Sequence, residues 1–181
     1  MKIAICDDEK IFLKKMNNLI VSNYANPDKL IICEFESGEQ FLSQFKANQF
    51  DVIILDIEMK ELTGLDVAEK IRETDKAVII AFLTSHQEFA PNGYEVNAFR
   101  YLLKGQPEQM YIKQLRSIFN EYHQTHMAFS VQMSNTVFNV AVSDILYFEI
   151  FKRTIVLHTR INKYQFNGKL SEIEKDERLV N

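Results

Sequence analysis

Residues Phe50 to Leu55 form a short, nearly continuous apolar run that closes on an acid, Asp56. A run without polar alternation fits a strand buried on both faces, as in a parallel sheet covered by helices. Asp56 then stands at the carboxyl end of that strand, the edge where open α/β sheets bind their ligands. Three more segments follow the same pattern. Lys2 to Cys6 is followed by Asp7 and Asp8, Ala77 to Leu83 by Thr84, and Ala98 to Leu103 by Lys104. Three carboxylates, one hydroxyl and one ammonium are therefore expected on one edge of one sheet. Such a cluster can hold a divalent cation and accept a phosphoryl group on a carboxylate.

Between these strands the apolar residues recur at helical spacing. A helix from Lys10 to about Tyr24 places Phe12, Met16, Leu19 and Ile20 on one stripe. Leu30 to Phe35 reads as a strand, and Ser37 as the N-cap of a helix through Lys46. The helix after Gly64 carries Leu65, Ala68 and Ile71 on one face. The last helix of this half starts near Pro107, a favoured first position, and buries Tyr111, Leu115, Ile118 and Tyr122. Five β–α repeats of this length predict an α/β fold, a five-stranded doubly wound parallel sheet of flavodoxin-like order over residues 1–124.

Near Gln124 the rhythm changes. After a linker at 125–128, short strands are expected at Phe129–Met133, Thr136–Val142, Ile145–Phe151, Thr154–Thr159 and Lys163–Phe166. A charged helix follows from Lys169 to about Leu179. This second half is β-rich and mostly antiparallel, a separate domain by pattern.

Charge divides along the same line. Residues 1–125 carry 14 Lys+Arg against 19 Asp+Glu, a balance of -5, and residues 126–181 carry 7 against 6, a balance of +1. The acidic half suits a cation, and the second half can approach nucleic acid. No run of about 18 apolar residues is present and the N-terminal apolar stretch is too short for a signal peptide, so no membrane association is expected and the expected location is the cytoplasm. Cys6 and Cys33 read as buried apolar thiols, with a redox pair left open because their strands can be neighbours.

Asp7-Asp8, Asp56, Thr84 and Lys104, with Gly64 eight residues past Asp56, resemble the receiver domain of two-component response regulators over about residues 1–122. Any one of these residues is weak evidence; five at successive strand ends in this order are specific. An acyl phosphate needs a carboxylate nucleophile, and Asp56 is the candidate phosphoacceptor. Its acidic neighbours repel an incoming phosphoryl group and raise its pKa, which Mg²⁺ would offset. The resemblance implies that Asp8 and Asp56 ligate Mg²⁺ directly, Asp7 through water, and Glu58 through its backbone carbonyl. Lys104 would neutralise one phosphoryl oxygen and Thr84 would donate to another. Tyr101 matches the family's switch aromatic, turning inward as Thr84 moves. The implied partner is a sensor histidine kinase, with a homodimer on activation. Two positions depart from the family: Lys60 and Gly105 stand where proline is usual, which puts the phosphoryl lifetime and the sharpness of the switch in question. Glu58 and His86 occupy positions that tune hydrolysis.

Val140 to Glu149, Thr154 to Thr159, and Phe166-Asn167-Gly168-Lys169-Leu170 leading into Glu172-Ile173-Glu174 resemble the LytTR DNA-binding domain. Lys152 and Arg153, in a turn between strands, are the candidate DNA-binding residues, with Arg160 and Lys163 similar in kind and His158 read as structural. The family continues beyond the position of Asn181, so 129–181 is expected to be a partial domain. The leading reading is a response regulator switching a LytTR transcriptional output. The alternative is a truncated, binding-only regulator that competes for a kinase or a full-length partner. A Mg²⁺-dependent aspartyl-phosphate hydrolase is disfavoured, because those enzymes carry Asp-x-Asp after the first strand. The protein is thus expected to be a phosphoacceptor and no turnover enzyme.

Overall fold

The computed structural model describes residues 1–85, 95–134, 136–151, 154–176 and 179. The chain divides into two compact units, Met1–Tyr122 and His123–Asn181. In the first unit β1 (Lys2–Cys6), β2 (Ile31–Phe35), β3 (Val52–Asp56), β4 (Ile79–Thr84) and β5 (Arg100–Leu103) form one sheet in the order β2-β1-β3-β4-β5. Every pair is parallel. Helices α1 (Lys10–Asn23), α2 (Gly38–Gln44), α3 (Gly64–Thr74) and α4 (Glu108–Thr125) connect or follow the strands. The alternation also calls for a helix between β4 and β5; that stretch contains 86–94, outside the described residues.

All five residues of β3 and all six of β4 are buried, as their unbroken apolar character requires. Successive side chains point to opposite faces, so each strand feeds two cores. On one face Ile3, Ile5, Ile54 and Leu83 pack with Leu13, Met16 and Ile20 of α1 and Tyr111, Leu115 and Ile118 of α4. On the other, Ala4, Ile53, Leu55 and Phe82 pack with Phe41 of α2 and Val67, Ala68 and Ile71 of α3.

The helix faces differ in detail from expectation. Leu13, not Phe12, completes the buried stripe of α1, and Val67, not Leu65, that of α3; Phe12, Leu65 and Tyr122 are only partly buried. The Phe12 ring instead faces Lys104. β4 begins at Ile79 because the Asp75 carboxylate takes the amides of Ala77 and Val78, each at 3.0 Å. α2 stops at Gln44, and the Lys46 amide donates to the Gln49 side chain at 2.9 Å. Ser37 caps α2 by accepting from the Gln40 amide, and Thr63 with Asp66 forms a capping box on α3.

In the second unit β6 (Ala128–Met133) pairs with β7 (Thr136–Ala141), and β9 (Thr154–Thr159) lies between β8 (Ile145–Phe151) and β10 (Lys163–Asn167). All these pairs are antiparallel. Phe129, Val131, Val140, Ile155, Leu157 and Ile173 make its core. His126 and Met127 connect α4 to β6. The expected helix to Leu179 is one turn, α5 (Leu170–Ile173), since Glu174-Lys175-Asp176 offers no apolar stripe to carry it on. No helix among the described residues is long and apolar enough to cross a membrane.

One glycine ties the helices to the strand edge. The Gly64 amide donates to the Ile57 carbonyl at 3.0 Å. A Cβ there would run into the Asp56 carbonyl oxygen, which is backbone and cannot swing away. Gly64→Ala is expected to lower stability by about 1–3 kcal/mol through overpacking, measured as a lower urea midpoint with unchanged slope.

Candidate functional site at the carboxyl edge of the parallel sheet

Parallel register brings the strand ends into line: Asp56 of β3 is opposite Leu83 of β4, and Thr84 is opposite Leu103 of β5. Asp56 is 2% exposed, while Asp7, directly after β1, and Thr84 are fully buried. Asp8 is half-buried. Asp7, Asp8 and Asp56 can each present one carboxylate oxygen within 4.8 Å of the others. Lys104, one residue past β5, is anchored by its amide to the Thr84 carbonyl at 2.8 Å.

The Lys104 ammonium sits at the centre. Its Nζ donates to Asp56 Oδ2 at 2.8 Å and to Glu9 Oε1 at 2.9 Å, and pairs with Asp7 Oδ2 at 3.0 Å. It also lies 4.4 Å from the centre of the Phe12 ring. Asp7 Oδ1 accepts from the Glu9 amide at 2.8 Å. Among the described residues Asp7 Oδ2 has no hydrogen-bond partner; its approach to Lys104 is an ion pair lacking a directed bond. The Glu58 amide reaches Asp56 Oδ1 only at 3.4 Å, the long limit for such a bond.

Burial, reinforced by the charge of Asp7, pushes the Asp56 carboxyl up to about 6, although the Lys104 bond and the Glu58 amide act the other way. Burial likewise raises Asp7. For Lys104, burial disfavours the ammonium, but its contacts with the carboxylates of Asp56, Glu9 and Asp7 outweigh this and hold it above the usual lysine range. The Cys6 thiol, buried beneath the cluster, is pushed up to about 12 by burial and by Asp7 and Asp56, so it is not a nucleophile here. Both cysteines are free thiols, although β1 and β2 are neighbours.

One ammonium thus faces three carboxylates in contact, with Asp8 beside them. An oxygen-only donor set whose negative charge exceeds that of its one ammonium, with a buried Asp7 oxygen that makes no directed hydrogen bond, fits a small hard divalent cation. Asp7, Asp8, Asp56, Thr84 and Lys104 therefore gather as expected from their strand-end positions. Tyr101 lies on β5, half-buried, its ring 5.2 Å from that of Phe82. Glu58 is exposed. His86, Lys152 and Arg153 lie outside the described residues. His158 is buried, with Nε2 at 2.9 Å from Glu149 Oε2 and its ring stacked on Tyr147. Sequence reasoning missed Glu9 and Phe12. Glu9 adjoins the acidic pair, but its reach to a lysine 95 residues further on leaves no local signal.

The raised carboxyl has a measurable consequence. Asp56 titrates near 6 in the fold against an ordinary 3.8, so its contribution is favourable at low pH and is lost as pH rises through 6. Asp56→Asn should be more stable than wild type by about 1–3 kcal/mol at pH 7.5, since each tenfold change in a protonation equilibrium is worth roughly 1.4 kcal/mol. The difference should shrink towards zero as the pH falls to about 4. Urea unfolding of both proteins in metal-free buffer at the two pH values checks this.

Residues 3–116 match the response regulator receiver domain, and residues 135–180 match the LytTr DNA-binding domain. The sensory transduction protein LytR of Staphylococcus epidermidis is 36% identical over 104 residues, 58% of this chain and 40% of that protein. The sensory transduction protein LytT of Enterococcus faecalis is 24% identical over 186 residues, 97% of this chain and 76% of that one. The chain thus spans less than half of the first relative and about three quarters of the second. The crystal structure of the response regulatory domain of MrkE from Klebsiella pneumoniae superposes with a TM-score of 0.59 at 29% identity, covering 68% of this chain and 99% of that domain. With the receiver match extending over more than half of its residues, this chain belongs to the response regulator receiver family, its receiver domain followed by a LytTr DNA-binding domain.

Proposed function

We propose that this protein takes a phosphoryl group on Asp56 from a histidine kinase and converts it into control of a DNA-binding output. The carrying observation is the pairing of one Lys104 ammonium with the buried carboxylates of Asp56 and Asp7 at the strand edge. Burial without that cation would be prohibitive, and an acidic edge is retained here beside a reactive carboxylate.

In the proposed reaction an Asp56 carboxylate oxygen attacks phosphorus and forms the new P–O bond. The P–N bond of the donor phosphohistidine breaks, and its electron pair stays on the imidazole. Mg²⁺ held by Asp7, Asp8, Asp56 and the Glu58 carbonyl would offset the like charges and neutralise the transferring group. Lys104 binds one phosphoryl oxygen as a point charge and Thr84 donates its hydroxyl to another. Such transfer depends on positioning and charge neutralisation, which buried, strand-anchored groups supply without reorganising. Movement of Thr84 then frees space for the Tyr101 ring, a local charge event that biases a packing switch. Dimerisation on activation and phosphate contacts from Lys152 and Arg153 belong to the same proposal for the output.

The carboxylate's raised pKa sets a pH dependence: below about 6 Asp56 is increasingly protonated and a poorer nucleophile in metal-free protein. Intact mass after incubation with acetyl phosphate and Mg²⁺ is expected to show one phosphoryl adduct on wild type and none on Asp56→Asn. An adduct on both proteins, or on neither, would overturn Asp56 as the acceptor.

A further inference from the structure

We infer that Glu9 is a place-holder for the phosphoryl group on Lys104, a positioning residue that restrains phosphorylation until its bond to the ammonium is exchanged. This role rests on the phosphoacceptor reading above and deepens it. The Lys104 ammonium has three N–H donors, and its directed bonds go to Asp56 and Glu9, with Asp7 Oδ2 in ion-pair contact. Among the described residues the groups that contact the ammonium are acidic, apart from the Phe12 ring that it crosses. Three acidic groups already crowd the ammonium, so a phosphoryl oxygen on Asp56 approaches Lys104 against like charge and at closest range by replacing one of these partners.

Burial decides which one. The Asp7 side chain is fully buried and that of Asp56 is 2% exposed, so neither carboxylate can be rehydrated in place. The Glu9 side chain is 54% exposed and returns to water at little cost. Glu9 stands at the N-cap of α1 but makes no capping bond through its side chain. Its carboxylate is therefore not tied to holding the helix start, and it reaches across to Lys104 instead. Exchange of this carboxylate for a phosphoryl oxygen keeps the ammonium paired throughout. Until the exchange, Glu9 adds negative charge at the mouth of the cluster and opposes an anionic donor.

The test is a time course of intact mass for the full chain, wild type and Glu9→Gln, with acetyl phosphate and Mg²⁺ at low and high ionic strength. In this reaction Asp56 oxygen bonds phosphorus as the acyl P–O bond breaks, and acetate leaves with the electron pair. Glu9→Gln keeps a hydrogen-bonding group of the same size and removes the charge. Adduct formation is expected to be about two- to fivefold faster in the variant at low salt, the range for a largely exposed charge pair. The gain should fall towards unity at high salt, because screening acts on charge and not on shape. An equal or slower variant at low salt, or a gain that salt leaves unchanged, would overturn the place-holder while leaving Asp56 the acceptor. No adduct on either protein would overturn the acceptor reading and the place-holder with it.

Discussion

Asp7 and Asp56 are carboxylates that the sheet buries almost completely, and a buried ionised carboxylate without a partner costs several kcal/mol. Lys104 makes that burial possible. Its ammonium reaches both acids within 3.0 Å from the end of a different strand, and its own backbone is held by the Thr84 carbonyl. The pairing leaves negative charge in excess and Asp7 Oδ2 with an ion pair but no directed hydrogen bond among the described residues, a donor set that fits a small hard cation. Burial and the charge of Asp7 still act against the ionised form, as the raised Asp56 carboxyl records.

The scaffold around the cluster is built to keep the strand ends still. β3 and β4 are buried along their full length between two helical layers, so their carboxyl ends are set by packing on both faces. Gly64 lets α3 begin directly against the Asp56 backbone, where a larger residue would collide. Gly105 follows Lys104 with φ of +82°, a conformation closed to proline and unfavourable for other L residues. The glycine that departs from the family's usual proline is therefore used by this chain's own turn. The freedom it brings lies directly beside the ammonium on which the cluster depends.

The five parallel strands were legible because unbroken apolar runs closing on polar residues have few other physical solutions, and β1 falls at its expected bounds, as do the antiparallel β8 and β9 of the second unit. Helix faces were less so. Phe12 packs only partly against the core and turns its ring under the Lys104 ammonium, while Leu13 is buried. The start of β4 moved because an aspartate side chain, Asp75, claimed two backbone amides that a strand would otherwise use. The last helix shrank to one turn because propensity without an apolar stripe does not carry a short helix.

By itself the sequence determined which groups stand at strand ends: Asp7, Asp8, Asp56, Thr84 and Lys104 are placed there by the period of burial, a local property of the chain. Tertiary structure decided what those groups do to one another. The sharing of one ammonium among Asp7, Glu9 and Asp56 and the upward shift of Asp56 both depend on distances of about 3 Å between residues far apart in sequence. Charge interactions and desolvation act through space, and only the packed sheet sets that space.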